Sequence, residues 1–189
     1  MNGLWCYFKS KWTPEYCQSI IKKSEKYNWE TAVVGNSVVD VSIRKSRVKF
    51  IQKDNPDFKD VFNDLWLMAL EANQAFFNIH VTRLNFIQIG EYDASERGEY
   101  KKHHDVFWIN NDPNHHRKLS CSVQLSNPAD YLGGEMKFHL DGFEEPLASD
   151  IRQQGSVIFF PSFIPHEVTP VTYGTRHSLV AWFEGPKWR

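Results

Sequence analysis

Apolar positions recur at two different periods along this chain, and the change falls near residue 81. Before it, the spacing is helical. Thr13-Pro14 combines a hydroxyl cap with a proline whose missing N–H costs nothing at a helix start. Cys17, Ile20, Ile21 and Ser24 then share one face, with lysines elsewhere. Asn55-Pro56 marks a second start. It is followed by an apolar stripe of Phe58, Val61, Phe62, Leu65, Ala69, Ala72 and Phe76, the face expected to pack on a sheet. After residue 81 the period becomes two. Leu84–Ile89, Leu119–Leu125, Gly155–Phe160 and Arg176–Phe183 are rich in Val, Ile, Phe and Trp. Asn127-Pro128, Gly133-Gly134, Asp141-Gly142 and Tyr173-Gly174 punctuate them as turns. The pattern predicts a mainly β protein with N-terminal helices (α+β). Helical support is expected over about residues 1–80 and a β sandwich or barrel over about 81–185, within one domain spanning 1–189. Arg97–Gly98 and Asn110–Lys118 read as loops that could serve as lids over the β core.

Composition narrows the function class. The chain has 189 residues, 41% of them hydrophobic and 15% aromatic, enough for a sizeable core. The formal charge of −1 offers no bulk attraction to nucleic acid or to an anionic membrane, so neither is expected as a partner. The basic stretches Arg44–Lys49 and His115–Lys118 are expected to be solvated faces. Cys6, Cys17 and Cys121 are odd in number and form no CxxC pair, which suits a reducing compartment. No signal-like segment or membrane-length apolar run is present, so a cytoplasmic location is expected. Oligomeric state is not legible.

The candidate chemistry begins at His103-His104-Asp105. On a strand, residues two apart point to the same side, so His103 and Asp105 would face together and His104 away. A further histidine, His166, stands in FPSFIPHEVTPV. Two imidazoles and one carboxylate suit iron(II) and leave three adjacent octahedral positions open. An adjacent His104-Asp105 pair, as in metal-dependent phosphohydrolases, would need a helix, and the surrounding pattern is extended. His115, His116 and His139 read as surface residues, Cys121 as buried and inert, and Gly133-Gly134 as a tight turn with no following Lys-Ser/Thr to cradle phosphate.

Arg176 lies ten residues beyond His166, and Arg176, Ser178, Val180 and Trp182 would share a strand face. An arginine on an apolar inward face is costly unless a carboxylate pairs with it. Its planar fork takes a carboxylate bidentately, and Ser178 could add a donor. A small diacid could reach both the arginine and a metal at His103, Asp105 and His166. 2-Oxoglutarate has that shape.

These residues resemble the Fe(II)/2-oxoglutarate-dependent dioxygenases, in particular the prolyl 4-hydroxylase-like branch. The resemblance runs over about residues 82–184. It includes Tyr92, Tyr100 to Asp105, Arg117 to Ser120, Leu125 to Glu135 (LSNPADYLGGE), Gly155 to Ser162, His166 to Arg176, and Trp182-Phe183. It implies a double-stranded β-helix, or jelly-roll, core buttressed by helices. It implies iron ligation by His103, Asp105 and His166, and 2-oxoglutarate held by Arg176 with help from Ser178 and from Tyr92 or Thr169. Tyr100 and Trp182 stand where relatives line the active site, and with Phe107 and Trp108 they could wall a proline ring. The implied reaction is hydroxylation of an unactivated C–H bond by dioxygen, with release of succinate and carbon dioxide. Ascorbate is an accessory reductant, and a prolyl residue in a peptide or protein is the favoured substrate. Other side chains, free amino acids or small metabolites are alternatives, as is a non-catalytic jelly-roll binding module. One departure is Gln124, where relatives often carry an aromatic residue.

Overall fold

The computed structural model describes residues 4–34, 39–106, 112, 114–142 and 146–188. In chain order the elements are β1 (Cys6–Phe8), α1 (Pro14–Ser24), β2 (Glu30–Thr31), β3 (Arg44–Lys45), β4 (Arg47–Gln52), α2 (Lys59–Ala72), β5 (Phe86–Asp93) and β6 (Glu99–His103). There follow β7 (His115–Gln124), β8 (Tyr131–Gly133), β9 (Met136–Phe138), α3 (Ala148–Ile151), β10 (Val157–Pro161), β11 (His166–Val168) and β12 (Val171–Pro186). The larger sheet has the order β1-β10-β7-β12-β5-β4-β2, with β8 joined to the start of β12, and the smaller sheet runs β3-β6-β11-β9. Every pairing is antiparallel. This is the expected jelly-roll arrangement.

The period-two reading decides what each face of the larger sheet meets. Ile87 and Ile89 of β5, Leu119, Cys121 and Val123 of β7, Val157 and Phe159 of β10, and Leu179, Ala181 and Phe183 of β12 join one buried cluster with the helical side chains Cys17, Ile20, Val61, Phe62 and Leu65. The alternate residues turn toward the smaller sheet. There Ile158 and Phe160 pack with Phe138 and Ile164. The helices therefore seal one side of the large sheet, and the space between the sheets is left for chemistry.

Thr13 caps α1 as expected, its hydroxyl accepting the Tyr16 N–H at 3.2 Å. The α2 stripe is buried from Phe58 to Ala72, but Phe76 is 38% exposed and Phe77 is 2% exposed. The cause is a π-helical turn over Asn73–Phe77, closed by Asn78 N–H donating to Asn73 C=O at 2.7 Å. An i→i+5 turn adds a residue to the helical repeat, so Phe77 takes the inward place that regular α spacing assigns to Phe76.

The helical support expected over about residues 1–80 is present as α1 and α2, and the same region also supplies β1 to β4. The basic stretch Arg44–Lys49 belongs to β3 and β4 and is solvated only in part: Arg47 is exposed, whereas Arg44 and Lys49 are buried. Lys49 is 3% exposed and donates to Ser24 C=O at 2.7 Å, with its ammonium 4.1 Å from the Trp29 ring centre. Arg44 is 7% exposed, donates from Nε to Ser46 Oγ at 2.8 Å, and lies 4.5 Å over the Tyr100 ring. Hydrogen bonds and aromatic faces offset the desolvation of these cations, which charge patterning alone does not reveal. Similarly, the loop expected over Asn110–Lys118 gives way to strand at His115, and His116, expected at the surface, is buried. No helix among the described residues is long and apolar enough to cross a membrane.

Candidate active site

Each of the three candidate metal ligands is held by its own local backbone. His103 ends β6, and its Nδ1 lies 2.8 Å from the Lys101 carbonyl. His166 opens β11, and its Nδ1 lies 2.9 Å from the Ile164 carbonyl. A carbonyl only accepts, so both rings carry their proton on Nδ1 and present the bare Nε2 lone pair. The two histidines are paired across β6 and β11. Asp105 lies just past the end of β6, where its N–H donates to Ser162 C=O at 2.8 Å. It joins His103 through this bend rather than by strand alternation, while His104 is exposed as expected. The Ser120 hydroxyl, 2.6 Å from Asp105 Oδ2, orients the carboxylate.

The Nε2 atoms of His103 and His166 lie 3.7 Å from Asp105 Oδ1 and Oδ2 respectively. One ligand atom from each of the three residues lies within 4.8 Å of the other two. Aromatic rings close the surroundings. Tyr100 stacks on His103 at 3.4 Å between centres, and Phe160 meets His166 edge-on at 4.8 Å. Burial, then the neighbouring His166, pushes the His103 pKa down to about 3. Burial alone would raise the Asp105 pKa, but His166, His103, Arg117 and the Ser120 hydroxyl outweigh it and hold the carboxyl below its usual range. A neutral imidazole and an ionised carboxylate are the ligating forms.

A cleft of about 460 Å³ opens in front of these groups, between the sheets. Tyr92, Arg176, Ser178, Val180 and Trp182 line it from the larger sheet, with Tyr100 opposite. The alternation along β12 is as read: His177 turns away and meets Glu91 Oε2 at 3.1 Å. Arg176 is 4% exposed. Its Nε donates to Gln124 Oε1 at 3.1 Å, its guanidinium lies 5.5 Å from the Tyr92 ring centre, and its Nη1 is buried with no hydrogen-bond partner. Its stem runs against Gly134, where φ is +61° and a Cβ would come 2.8 Å from Arg176 Cδ. The second glycine of the pair therefore does more than turn the chain; it makes room for this arginine. Thr169 does not line the cleft: its hydroxyl accepts the Glu135 N–H at 2.8 Å. Phe107 and Trp108 lie outside the described residues.

Two arginines beside the site were given no role in it by the sequence reading. Arg44 lies over Tyr100, as described. Arg117 reaches the cleft side through a β-bulge. On β12, Phe183 faces Leu119 but Glu184 faces Arg117, so Lys118 is skipped. The extra residue moves Arg117 onto the row of Ser120 and Trp182, and its guanidinium lies 3.9 Å from the Trp182 ring centre. Strict alternation would have pointed it at the helices.

The family model described as the 2OG-Fe(II) oxygenase superfamily matches residues 87–184, more than half of the chain. The chain belongs to this superfamily. A PKHD-type hydroxylase of Colwellia psychrerythraea is 34% identical over 87 residues, 46% of this chain and 38% of that protein. One from Aliarcobacter butzleri is 26% identical over 176 residues, 89% of this chain and 71% of that protein. The chain spans 38% to 53% of the length of the first curated relatives it matches. In fold it is similar to a prolyl-4-hydroxylase of Pseudomonas putida, with a TM-score of 0.69 at 20% identity, covering 96% of this chain and 93% of the other. A prolyl hydroxylase of Trichoplax adhaerens, solved with a hypoxia inducible factor oxygen degradation domain peptide fragment, gives 0.74 at 17% identity over 95% and 83%.

The superfamily uses iron(II), 2-oxoglutarate and dioxygen, and the residues present fit that set. The two Nε2 lone pairs and the Asp105 carboxylate converge within 4.8 Å of one another. The unpartnered Arg176 Nη1 is a buried donor on the wall of the same cleft, and the groups it meets, an amide and a phenol ring, carry no negative charge. A diacid bound at the metal would supply the missing partner.

Proposed function

We propose that the chain is an iron(II)- and 2-oxoglutarate-dependent hydroxylase acting on a prolyl residue of a peptide or protein. His103, Asp105 and His166 would hold the iron, and Arg176, with Ser178 and Tyr92 beside it, would hold the distal carboxylate. The observation that carries this reading is the buried, unpartnered Arg176 Nη1 on the wall of the cleft in front of the three metal-type ligands. A buried donor without a partner costs about 1–3 kcal/mol, so its retention calls for a ligand that satisfies it.

The bound metal and keto acid supply the oxidation of a C–H bond by dioxygen, with conversion of 2-oxoglutarate to succinate and carbon dioxide. The chain's own residues set the conditions. The two Nδ1–carbonyl contacts keep both imidazoles aimed, and Ser120 fixes the face that Asp105 presents. Tyr100, Phe160, Val180 and Trp182 line an aromatic and aliphatic surround that limits water near the reacting centre. The prolyl part of the proposal rests on likeness to structures named as prolyl hydroxylases and on Tyr100 and Trp182, whose ring faces suit a pyrrolidine.

The test is incubation with iron(II), 2-oxoglutarate and ascorbate in the presence of a proline-rich peptide library. Succinate should be released, and mass spectrometry should find a peptide gain of about 16 Da, one added oxygen, located on proline. His103→Ala and Asp105→Ala should abolish both. Succinate release undiminished in either variant would remove these residues from the iron, while oxidation on other side chains only would remove proline.

A further inference from the structure

We infer that Gln124 is a positioning residue that sets where the co-substrate carboxylate is received, by holding Arg176 from the side away from the ligand. The inference rests on the reading of Arg176 given above. Gln124 is 3% exposed and lies on β7 opposite Ser178. Its amide nitrogen donates to the Ser126 carbonyl at 3.2 Å and to Tyr131 Oη at 2.9 Å, and its amide oxygen accepts from Arg176 Nε at 3.1 Å. A guanidinium only donates and a backbone carbonyl only accepts, so the amide has a single orientation compatible with both neighbours. Its oxygen is committed to the arginine.

That commitment decides which edge of the guanidinium is left. With Nε engaged, Nη1 remains buried without a partner and is left to take a carboxylate. A second cavity makes the hold consequential. It is lined by Gln124 itself with Tyr131, Ile151 and Arg152 among others, and shares Arg176 and Met136 with the cleft. Arg176 thus stands between two spaces. Gly134 lets its stem pass, and Gln124 is the neutral acceptor that fixes the planar head. Without the amide oxygen, Nε loses its acceptor and the planar head is no longer fixed at the wall of the cleft. An aromatic residue at position 124 could not reproduce this, because a phenol has no fixed acceptor paired with two donors.

The test uses manganese(II)-loaded protein, so that ligand binding is read without turnover, and calorimetric titration with 2-oxoglutarate and with 2-oxobutyrate, which lacks the distal carboxylate. Gln124→Met removes the acceptor at similar volume. It should weaken 2-oxoglutarate about tenfold, the loss expected for one hydrogen bond to a charged group, and leave manganese and 2-oxobutyrate binding as in wild type. Gln124→Glu keeps the shape but brings a carboxylate to Arg176. It should weaken 2-oxoglutarate by about a hundredfold or more, again with 2-oxobutyrate unaffected. The inference is overturned if either variant keeps the wild-type preference for 2-oxoglutarate over 2-oxobutyrate, or if both keto acids weaken in parallel. If wild type itself shows no such preference, the carboxylate role of Arg176 fails first.

Discussion

Replacing Arg176 by methionine separates an arginine that receives a ligand from one that merely braces the fold. Two terms oppose each other in the ligand-free protein. The change strands the buried Gln124 Oε1, which then lacks its donor, at a cost of about 1–3 kcal/mol. It also removes a buried cation whose Nη1 has no partner, which returns a comparable amount. The net change in stability should stay within about 2 kcal/mol, a Tm shift of under about 8 °C for a chain of this length. Binding has no such compensation. Truncating one side of a desolvated, hydrogen-bonded charge pair costs about 2–5 kcal/mol, which lowers 2-oxoglutarate affinity by about 30-fold to several thousandfold. Thermal unfolding of the manganese(II)-loaded protein over a 2-oxoglutarate series reads both quantities at once, because a ligand of the native state raises Tm with its concentration. Wild type should climb and Arg176→Met should stay nearly flat from a similar starting Tm. A variant that starts more than about 10 °C lower yet climbs as far as wild type would refute the reasoning, making Arg176 a structural residue.

The π-helical turn after α2 predicts that Phe77→Ala costs about 3–5 kcal/mol and Phe76→Ala under about 1 kcal/mol, the reverse of what regular helical spacing implies; urea unfolding of both variants checks it. The metal-free protein should lose stability as pH falls from about 6.5 toward 3. His103, held neutral by burial and by His166, has a folded pKa of about 3, so over that window the unfolded chain binds a proton that the folded site refuses. Its contribution to the slope is at most about 1.4 kcal/mol per pH unit, and His103→Ala should flatten the pH profile of the unfolding free energy, read from urea titrations, by up to that amount. An identical slope in the variant would show that His103 does not titrate in this way.

Much of the site was legible because strand periodicity and ligand chemistry point the same way. On β12 the alternation assigns Arg176, Ser178, Val180 and Trp182 to the cleft and sends His177 to Glu91. The histidines and aspartate are recognisable by type, although the Asp105 geometry depends on the Ser162 carbonyl, which sequence spacing does not carry. What escaped the sequence reading is where a local irregularity or a tertiary partner overrides a rule. Arg44 and Lys49 are buried because Ser46, Tyr100, Ser24 and Trp29 satisfy them, and none of those partners is identifiable from a run of charge. Arg117 is visible as a motif residue but not as a cleft residue, since its face depends on a bulge. Tyr92 or Thr169 was expected beside the co-substrate; Tyr92 lines the cleft, and the Thr169 hydroxyl accepts the Glu135 N–H.

The two-sidedness of β12 has a consequence for how such a chain can change. Leu179, Ala181 and Phe183 seal the helical layer, while the residues between them face the cleft. Either row can be altered one side chain at a time without disturbing the other. A single residue inserted or deleted within the regularly paired stretch Arg176–Phe183 would exchange the two rows on one side of the change, driving apolar groups into the cleft and cleft residues into the helical core. That stretch therefore tolerates spelling changes but not frame changes. Irregularity falls outside this stretch: β12 takes an extra residue between Val171 and Tyr173, ahead of Arg176, and β7 accommodates one at Lys118, where the shift in frame brings Arg117 beside Trp182.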